Sequence, residues 1–350
     1  MVWSKAHAKL HTLLKNRVLL PRNSRIVMAV SGGQDSLCMA RLLVDLQSYW
    51  NWRLGVVHCD HRWRDDSEAT AAHVCSLASS WRIPAWCAVA RSALKSEADA
   101  RHWRYETFAD VARTQGYDYV VCGHTMSDRA ETVLYNLIRG TGIDGIATLP
   151  WLRPIDDFEP AISLVRPLLT FSRVETADFC QQQHIPVWED STNQSLTFRR
   201  NRIRQELLPY LRDHFNPQVE RSLAQTLETT AADVAYLEAQ ATSIYPKVVE
   251  CEQYPGEDSV PEQSLRRWKI HRDRLSREPL AMQRRVIRQV LLQVLTKSPS
   301  FQHIDKVVSL LRSPNGSQCD PLPGNYIALV CKPFILIRSI VDCDRSHKCE

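Results

Sequence analysis

The sequence lacks several patterns that assign a chain at once to a common class of protein. No apolar run approaches the length of a membrane-spanning helix, and the first residues lack the apolar stretch of a secretory signal. The 11 cysteines form no CxxC pair, which argues against a zinc ribbon and favours free thiols over a disulfide framework. The phosphate-binding pattern GxxxxGK[ST] is also absent. We therefore expect a cytoplasmic protein, with a plastid location left open, whose chemistry depends on another motif.

Composition indicates a globular protein with more than one domain. A chain of 350 residues suggests two or three domains. Hydrophobic residues make up 44% and charged residues 24%, which is typical of folded proteins with substantial cores. The net charge of +5 is modest, so the basic residues indicate a partner only where they cluster.

The most informative stretch follows the apolar run at 25–30 and reads Ser31-Gly32-Gly33-Gln34-Asp35-Ser36. The apolar run predicts a buried strand, and the spacing of apolar residues after Ser36 predicts a helix as far as residue 50. The two glycines let the backbone approach an anion, and the N–H groups of the first helical turn point toward it. We expect Ser36 to cap the helix. The segment predicts a phosphate-binding loop, with an ordinary tight turn before a helix as the alternative.

Short apolar segments alternate with helical patterns as far as residue 214. The predicted strands are 25–30, 53–58, 84–90, 118–123 and 162–165, and the other predicted helices are 4–19, 67–82, 101–115, 128–138 and 172–184. This alternation predicts an α/β fold, a doubly wound parallel sheet of five strands that binds ligands at the carboxyl ends of its strands.

The pattern changes after residue 214. Helical patterns follow at 217–245, 280–296 and 301–312, with an exposed loop predicted at 250–261 and a hairpin at 324–337. We therefore predict a catalytic domain at 1–214, a mainly α-helical second domain at 215–340 and a tail at 341–350.

Polar residues follow the predicted strands. His58 and His61 lie beyond the second strand, and because no other His/Cys cluster completes a metal site, we interpret them as the rim of a nucleotide site. Arg101 and Arg104 lie one helical turn apart, where guanidinium groups suit a phosphate. A basic helix face exposed to solvent explains the two arginines equally well.

Two carboxylates lie three residues apart near the start of the helix that follows the fourth strand. Asp128 and Glu131 therefore share one helical face beside the predicted cleft. Such a pair can bind magnesium or the ammonium group of an amine substrate. The acidic bias that is common in a first helical turn is the alternative.

Two basic clusters point to a polyanionic partner. The first contains Arg199, Arg200, Arg202 and Arg204. The second, at 266–288, begins with Arg266 and Arg267 and holds nine Lys or Arg against two acids. Beside a site that activates a nucleotide, such clusters favour the backbone of a nucleic acid, with solvated helix faces as the alternative.

These motifs occur together in the order of a known family. SGGQDS, VVHCDHRWR, ARHWRYE, GHTMSDRAETVLYNLIRGTGIDGI, VRPLL and VWEDSTN, followed by RRNRIRQELLP, resemble the tRNA(Ile)-lysidine synthetases, which are N-type ATP pyrophosphatases with a PP-loop. The resemblance covers about residues 26–209. It implies that ATP adenylates the wobble cytidine of a tRNA(Ile) with a CAU anticodon. Free lysine then attacks C2 to give lysidine, with release of AMP and pyrophosphate, and decoding switches from AUG to AUA.

The resemblance also implies roles for individual residues. The ATP phosphates would lie on Ser31–Ser36, with His58 and Arg101 beside the nucleotide and Asp35 near Mg²⁺ as a catalytic residue. Asp128 and Glu131 would bind lysine and act in catalysis, and the tRNA would contact Arg199, Arg200, Arg202, Arg204, Arg266 and Arg267. A homodimer is compatible with the sequence, which does not specify an oligomeric state.

The sequence departs from the family pattern His-His-x-Asp-Asp-Gln-Ala-Glu-Thr at three positions. Thr125 replaces the second histidine, Ser127 the first aspartate and Arg129 the glutamine, while Asp128 and Glu131 remain. Any role of the missing aspartate is therefore in doubt, but the carboxylate pair is not.

Two other classes share some of these features. A tRNA thiolase would share the loop and fold, but the iron–sulfur thiolases carry a CxxC pair that this sequence lacks. An RNA-binding protein without enzyme activity would explain the basic clusters but not Asp35, Ser36 and the paired carboxylates. Release of pyrophosphate from ATP with and without lysine separates the three classes.

The basic clusters generate a first prediction. If their arginines contact tRNA phosphates, binding releases counterions, and the logarithm of the tRNA affinity falls linearly with the logarithm of the salt concentration. Filter binding or fluorescence anisotropy between low and moderate salt measures the slope. A dissociation constant that does not change with salt would instead assign both clusters to solvated faces.

Overall fold

A computed structural model describes residues 3–63, 66–91, 94–147, 149–156, 158, 160–188, 196, 199–253 and 266–340. The chain divides into two compact units, Met1–Ala231 and Ala232–Glu350. The predicted tail at 341–350 and the WEDSTN motif from Glu189 onward lie outside the described residues. The domain boundary at 214 stays a prediction.

The first unit alternates strands and helices. Its strands are β1 (Arg25–Ala29), β2 (Arg53–Asp60), β3 (Ala85–Val89), β4 (Tyr119–Cys122), β5 (Leu152–Pro154) and β6 (Ser163–Val165). Its first helices are α1 (Lys5–Arg17), α2 (Gln34–Trp50), α3 (Ser67–Ser80), α4 (Glu97–Gln115), α5 (Met126–Ile138) and α6 (Ile143–Ile146). They are followed by α7 (Arg173–Gln182), α8 (Arg199–Arg202), a π-helical turn at Ile203–Leu207, α9 (Leu208–His214) and the start of α10 (Val219–Val248).

The six strands form one sheet in the order β3-β2-β1-β4-β6-β5, in which every pairing except β5 with β6 is parallel. Apolar residues of α1, α2 and α3 pack on one face, and those of α4 pack on the other. The doubly wound parallel fold is therefore confirmed. The count of five strands was wrong, because β5 has only three residues and ends in Pro154, too short a run to show alternation.

The starts of helices α2 and α4 differ from the expectations. Gly33 lies at the N-cap of α2 and offers no side chain to cap it. The expectation that Ser36 caps this helix was wrong, because Ser36 lies within the first turn. Helix α4 begins at Glu97, four residues earlier than predicted, because the Ser96 hydroxyl accepts a hydrogen bond from the Asp99 N–H.

The end of β4 lies directly against the phosphate loop. A Cβ atom placed on Gly123 would lie 2.9 Å from both the Asp35 carbonyl oxygen and the Ser36 Cα. Since β1 and β4 are neighbours in the sheet, the chain leaves both strands at the same edge, and only a glycine permits this approach. The backbone of β4 therefore sets the position of the loop.

The second unit combines helices with a sheet. Beyond α10 it contains α11 (Arg272–Ser276), α12 (Leu280–Val294) and α13 (Phe301–Ser309). Its strands β7 (Val249–Gln253), β8 (Arg266–His271), β9 (Tyr326–Cys331) and β10 (Phe334–Ser339) form an antiparallel sheet in the order β7-β8-β10-β9. The predicted C-terminal hairpin is confirmed as β9 and β10.

The second unit differs from the prediction in its share of strand. Residues 250–253, expected at the start of a loop, pair with β8 in β7, where Glu250 faces Lys269 and Glu252 faces Arg267. The basic residues of β8 were assigned to a polyanion-binding cluster, so their strand pattern went unrecognised. In the described part of the chain, no helix is long and apolar enough to cross a membrane.

We expect Gly123→Ala to displace the phosphate loop. The added methyl group meets backbone atoms that cannot rotate away, so we expect a loss of roughly 1–3 kcal/mol of unfolding free energy and weaker ATP binding. Gly142→Ala is the matched control, because nothing lies within 4 Å of its added Cβ. Thermal unfolding and ATP titration measure both variants; equal behaviour of the two would show that β4 does not position the loop.

Candidate active site

The phosphate loop follows the carboxyl end of β1, where a left-handed glycine and a bridging serine determine its shape. Gly32 adopts φ +89°, which side chains rarely permit, and its carbonyl oxygen accepts a hydrogen bond from the Trp188 N–H at 3.1 Å. The Ser36 hydroxyl bridges the loop, donating to the Gly33 carbonyl at 2.8 Å and accepting from the Ser31 N–H at 3.1 Å. The start of α2 thus faces the end of the sheet without a side-chain cap, an arrangement that suits an anion.

Asp35 lies in the first turn of α2 and is held by α7. One carboxylate oxygen accepts a hydrogen bond from the Thr176 hydroxyl at 2.5 Å, and the other lies 3.4 Å from the Arg173 guanidinium. Burial raises the pKa of Asp35, while Arg173 and Thr176 lower it in part. Gln34 donates to the Thr176 hydroxyl at 2.7 Å, so α7 fixes two residues of the loop.

Asp128 caps the helix on which it lies. Its Oδ2 atom accepts hydrogen bonds from the Thr125 N–H at 2.7 Å and the Thr125 hydroxyl at 2.9 Å. Its Oδ1 atom lies 3.7 Å from both the Arg173 and the Arg204 guanidinium groups. Burial raises the pKa of Asp128, but His124, Arg173 and the two Thr125 donors outweigh burial and hold it below the ordinary value.

Glu131 is clamped by Arg204. The guanidinium donates to both carboxylate oxygens, at 2.6 Å from Nε and 2.8 Å from Nη2. Burial raises the pKa of Glu131, and Arg204 lowers it only in part. The side chain of Glu131 is 4% exposed and that of Asp128 is 20% exposed. Asp128 is therefore the carboxylate of the pair that a substrate can reach without displacing an arginine.

The sequence-predicted carboxylates lie in one connected cluster. Arg173 bridges Asp35 to Asp128, and Arg204 bridges Asp128 to Glu131. Three carboxylates and two guanidinium groups leave one formal negative charge within the cluster. An arrangement of this kind can accept one cation beside the phosphate loop.

Positive charge surrounds the neighbouring end of β4. Burial lowers the pKa of His124 to about 3, helped by Arg166, Arg101 and Arg104, so this ring is neutral at neutral pH. His58 is buried and its Nδ1 atom lies 2.8 Å from the Val30 carbonyl oxygen, at the entrance to the loop. The structure therefore brings His58 and Arg101 to the same edge of the sheet as the loop. In the described residues, no group of three or more His, Cys, Asp or Glu side chains could hold a metal ion. His58 and His61 therefore belong to no such group.

The arginines of the two predicted basic clusters differ in exposure, and several of them bond to other groups of the protein. Arg199 and Arg202 are exposed, and Arg200 is half-buried beside Glu97 at 3.3 Å. Arg204, expected with them at the tRNA, instead pairs with Glu131. In the second unit Arg266 and Arg267 are half-buried on β8, whereas Arg272 and Arg285 are buried and bonded within the unit.

Sequence reasoning missed the residues that connect the cluster. Arg173 and Thr176 lie in a helix with no distinctive motif, and only its position after the last parallel strand places it at the site. Arg104 was paired with Arg101 as a candidate for phosphate binding, but Arg166 was seen as a motif letter without a role. The sequence analysis did single out Arg204, but only as one member of the first basic cluster. Arg204 lies within the π-helical turn, and this turn directs it to Glu131 instead.

Two families match the chain. Residues 3–211 match the PP-loop domain, and residues 271–331 match the TilS substrate binding domain.

Several curated proteins are similar to this chain over nearly its whole length. The tRNA(Ile)-lysidine synthase of Nostoc sp. is 49% identical, covering 97% of this chain and 98% of the relative. That of Synechocystis sp. is 46% identical, covering 96% and 98%. A chloroplastic tRNA(Ile)-lysidine synthase of Zygnema circumcarinatum is 35% identical, covering 88% and 80%. Among solved structures, the U34-tRNA thiolase NcsA of Methanococcus maripaludis has a TM-score of 0.56 at 16% identity, covering 65% of this chain and 78% of that one, which shows a shared fold only.

We expect Arg204→Gln to destabilise the protein more at neutral than at acidic pH. Without Arg204, burial raises the pKa of Glu131 further, so the folded state binds this proton at a higher pH than the unfolded state and loses stability as pH rises. At neutral pH we expect a loss of about 3 kcal/mol, the low end of the range for a broken buried pair, because the Arg204 side chain is 22% exposed.

Thermal or urea unfolding at several pH values measures the difference between Arg204→Gln and wild type. Arg202→Gln, whose partner Glu206 is exposed, serves as the control and should show a small change that does not vary with pH. A destabilisation by Arg204→Gln that is the same at every pH would contradict the assignment of the pair.

Proposed function

The chain belongs to the tRNA(Ile)-lysidine synthases, and from that premise we propose that it ligates free lysine to C2 of the wobble cytidine of a tRNA(Ile) with a CAU anticodon. ATP adenylates the tRNA, pyrophosphate leaves, and AMP leaves when lysidine forms. The modified tRNA then reads AUA in place of AUG.

The observation that carries the proposal is the connected cluster from Asp35 to Glu131. It joins a loop suited to phosphates to a carboxylate pair suited to an amine, through Arg173 and Arg204. A nucleotide-activating step and an amine-transfer step therefore have adjacent sites. Neither a phosphate loop alone nor a carboxylate pair alone would support a ligase.

The residues at the loop fit a magnesium ion that arrives with ATP. Mg²⁺ is usually bound through one or two carboxylates together with substrate phosphates and water, and Asp35 offers one carboxylate beside the loop. When bound, the ion stabilises negative charge on the phosphates. Thr176 and Arg173 hold the Asp35 carboxylate in place for this role.

In the first step, the cytosine O2 atom attacks the α-phosphorus of ATP. The backbone N–H groups at the start of α2 would hold the phosphates, with Ser31, Gly32, Gly33, Gln34 and Ser36 forming the loop. Arg101, with Arg104 and Arg166, adds positive charge near His124 and would balance the charge of the leaving pyrophosphate. His58 supports the loop through Val30 and borders the nucleotide. The poor leaving group on C2 is thereby converted into AMP.

In the second step, the lysine ε-amine attacks C2 and AMP leaves. The free amine is an ammonium ion at neutral pH, so it must be bound as a cation and then lose a proton. Asp128 Oδ1 lies 3.7 Å from either guanidinium on a side chain that is 20% exposed, and it suits the ammonium. Glu131 holds Arg204 and completes the negative face of α5, and one of the two carboxylates accepts the proton.

The tRNA backbone would contact three arginines of the first cluster, the exposed Arg199 and Arg202 and the half-buried Arg200. Within the second unit, the proposal retains Arg266 and Arg267 on β8. The 271–331 match to a substrate binding domain supports a role for this unit in holding the substrate. Arg204 is assigned to the carboxylate cluster rather than to phosphate.

Labelled lysine and labelled ATP test the proposal directly. Wild-type protein with tRNA(Ile), ATP and Mg²⁺ should attach lysine to the tRNA, and omission of lysine should leave AMP on it. Glu131→Gln should abolish lysine attachment yet permit adenylation, because it removes one of the two carboxylates that can accept the amine proton and leaves the charge of Arg204 uncompensated beside Asp128. The loss of a general base corresponds to roughly 10²–10⁴-fold in rate.

Asp118→Asn is the matched control for Glu131→Gln. Asp118 also forms a two-bond pair with an arginine, Arg25 at 2.9 and 2.5 Å, but at the amino ends of the strands. Its lysine attachment should remain at the wild-type rate. Lysine attachment by Glu131→Gln at that same rate would place the amine elsewhere, and no lysine attachment by wild type would refute the function.

A further inference from the structure

Helix α5 and the segment at 199–204 run antiparallel and contact each other at matched positions. Arg204 bonds to Glu131. Arg200, four residues earlier, has its guanidinium 5.6 Å from the ring centre of Tyr135, which lies four residues after Glu131 on α5. Because residues four apart share one face of a helix, the contact at Tyr135 continues the face of the carboxylate cluster toward the carboxyl end of α5.

The Tyr135 ring holds a second guanidinium group. Arg139 directly follows α5 and lies 5.4 Å from the ring centre, with its Nη1 atom 3.5 Å from the Tyr135 hydroxyl. Both guanidinium groups are therefore within the distance of about 6 Å at which an aromatic ring attracts a cation. Tyr135 is half-buried and Arg139 is exposed. One tyrosine thus holds two arginines from different elements, and we call Arg139 and Arg200 the arginine pair.

The rotation of α5 about its axis is fixed from another side by α10. The buried Arg129 donates to Glu228 Oε1 at 2.5 Å, and the Trp151 indole N–H donates to the same oxygen at 2.7 Å. Position 129 lies away from the helix face that carries Glu131 and Tyr135. These bonds keep that face directed toward the segment at 199–204.

The two ends of this face differ in charge. The carboxylate cluster at the amino end has one formal negative charge in excess. At the carboxyl end, the arginine pair has one ion pair within the part of the chain that the structure describes, between Arg200 and Glu97 at 3.3 Å. The Glu97 side chain is 57% exposed, so this bond is weak and positive charge remains in excess. An anion bound between the two arginines would relieve their repulsion.

The phosphates of ATP lie too far away to be this anion. Arg139 follows Glu131 by eight residues, which at a rise of 1.5 Å per residue is about 12 Å along the helix axis. The phosphate loop contacts the chain at Gly123, before α5 begins. A strand of nucleic acid, by contrast, carries phosphates in a row and can reach from the carboxylate cluster to the end of α5.

We propose that the arginine pair, held by Tyr135, binds one phosphate of the tRNA anticodon loop while the wobble cytidine lies at the carboxylate cluster. An arginine can stack its plane on an aromatic ring and still donate the N–H groups at its edge to a phosphate. Arg139 and Arg200 are binding residues, and Tyr135 is a positioning residue because it acts through them. The inference rests on the proposed function, which supplies the identity of the tRNA.

Substitutions at the arginine pair and at Tyr135 test the two roles. Arg139→Gln should raise the Kd for tRNA(Ile) about tenfold, the size of one hydrogen bond between charged groups, and change ATP affinity and the lysine KM by less than about twofold. Tyr135→Leu should raise the tRNA Kd about threefold, because the arginines remain but lose their fixed position. Tyr135→Phe keeps the ring and should bind tRNA like the wild type. Fluorescence anisotropy with labelled tRNA measures each Kd.

A tRNA with a neutral methylphosphonate in place of one phosphate identifies the contact. Replacing the anticodon-loop phosphates one at a time should reveal a position where the wild type loses affinity and Arg139→Gln loses nothing further. A role of Arg139 in the stability of α5 alone would not produce this non-additivity. Losses that add at every position would overturn the inference, as would an unchanged tRNA Kd in Arg139→Gln.

Arg53→Gln is the matched control. Arg53 also lies over a tyrosine, 5.5 Å from the ring centre of Tyr117, but it begins β2 and so lies at the opposite edge of the sheet from the site. Its tRNA Kd should equal that of the wild type. Failure of the wild type to attach lysine would refute the proposed function instead, whereas the binding measurements with substituted tRNA decide on the arginine pair by themselves.

Discussion

The mutual repulsion of three neighbouring carboxylates, Asp35, Asp128 and Glu131, is the constraint on which the site depends. Burial raises the pKa of both Asp35 and Glu131, and the charge of Asp128 raises it further. Two like charges 4 Å apart repel by about 4 kcal/mol at an effective dielectric constant near 20, so the carboxylates can be held together only with compensating cations. Arg173 and Arg204 provide them, and their absence would protonate the carboxylates or force the elements apart.

The sheet topology explains why these charges meet. Because β1 and β4 are adjacent and β6 lies next to β4, the segments that leave these three strands start at one edge. They carry Asp35 on α2, Asp128 and Glu131 on α5, and, after β6, Arg173 on α7. Arg204 comes from much later in the chain, where a small apolar cluster of Ala130, Ile203 and Leu208 holds its segment on α5. Packing of apolar residues thus determines where the fifth charge lies.

The parallel strands, the glycine loop and the carboxylate pair could be predicted because each has a short-range signal: apolar runs, adjacent glycines and a spacing of three in a helix. The parts that could not be predicted depend on long-range partners. Ser36 resembles a cap, but the backbone turns at Gly33, so it bridges the loop instead. Strand β5, which the sequence did not predict, forms only by pairing with the edge of β6. Arg204 has the same neighbours in sequence as the other arginines, and only the fold assigns it to Glu131.

Glu228 joins parts of the first unit that are far apart in the sequence. Besides Arg129 and Trp151, it accepts a hydrogen bond from Arg17 at 3.1 Å, at the end of α1. The first helix of the unit and the start of α10 are therefore held by one carboxylate. During synthesis the chain grows from its amino end, so Arg129 has no anionic partner until residue 228 has left the ribosome. The unit closes late, and a nascent chain shorter than this carries an unpaired arginine on the helix that bears Asp128 and Glu131.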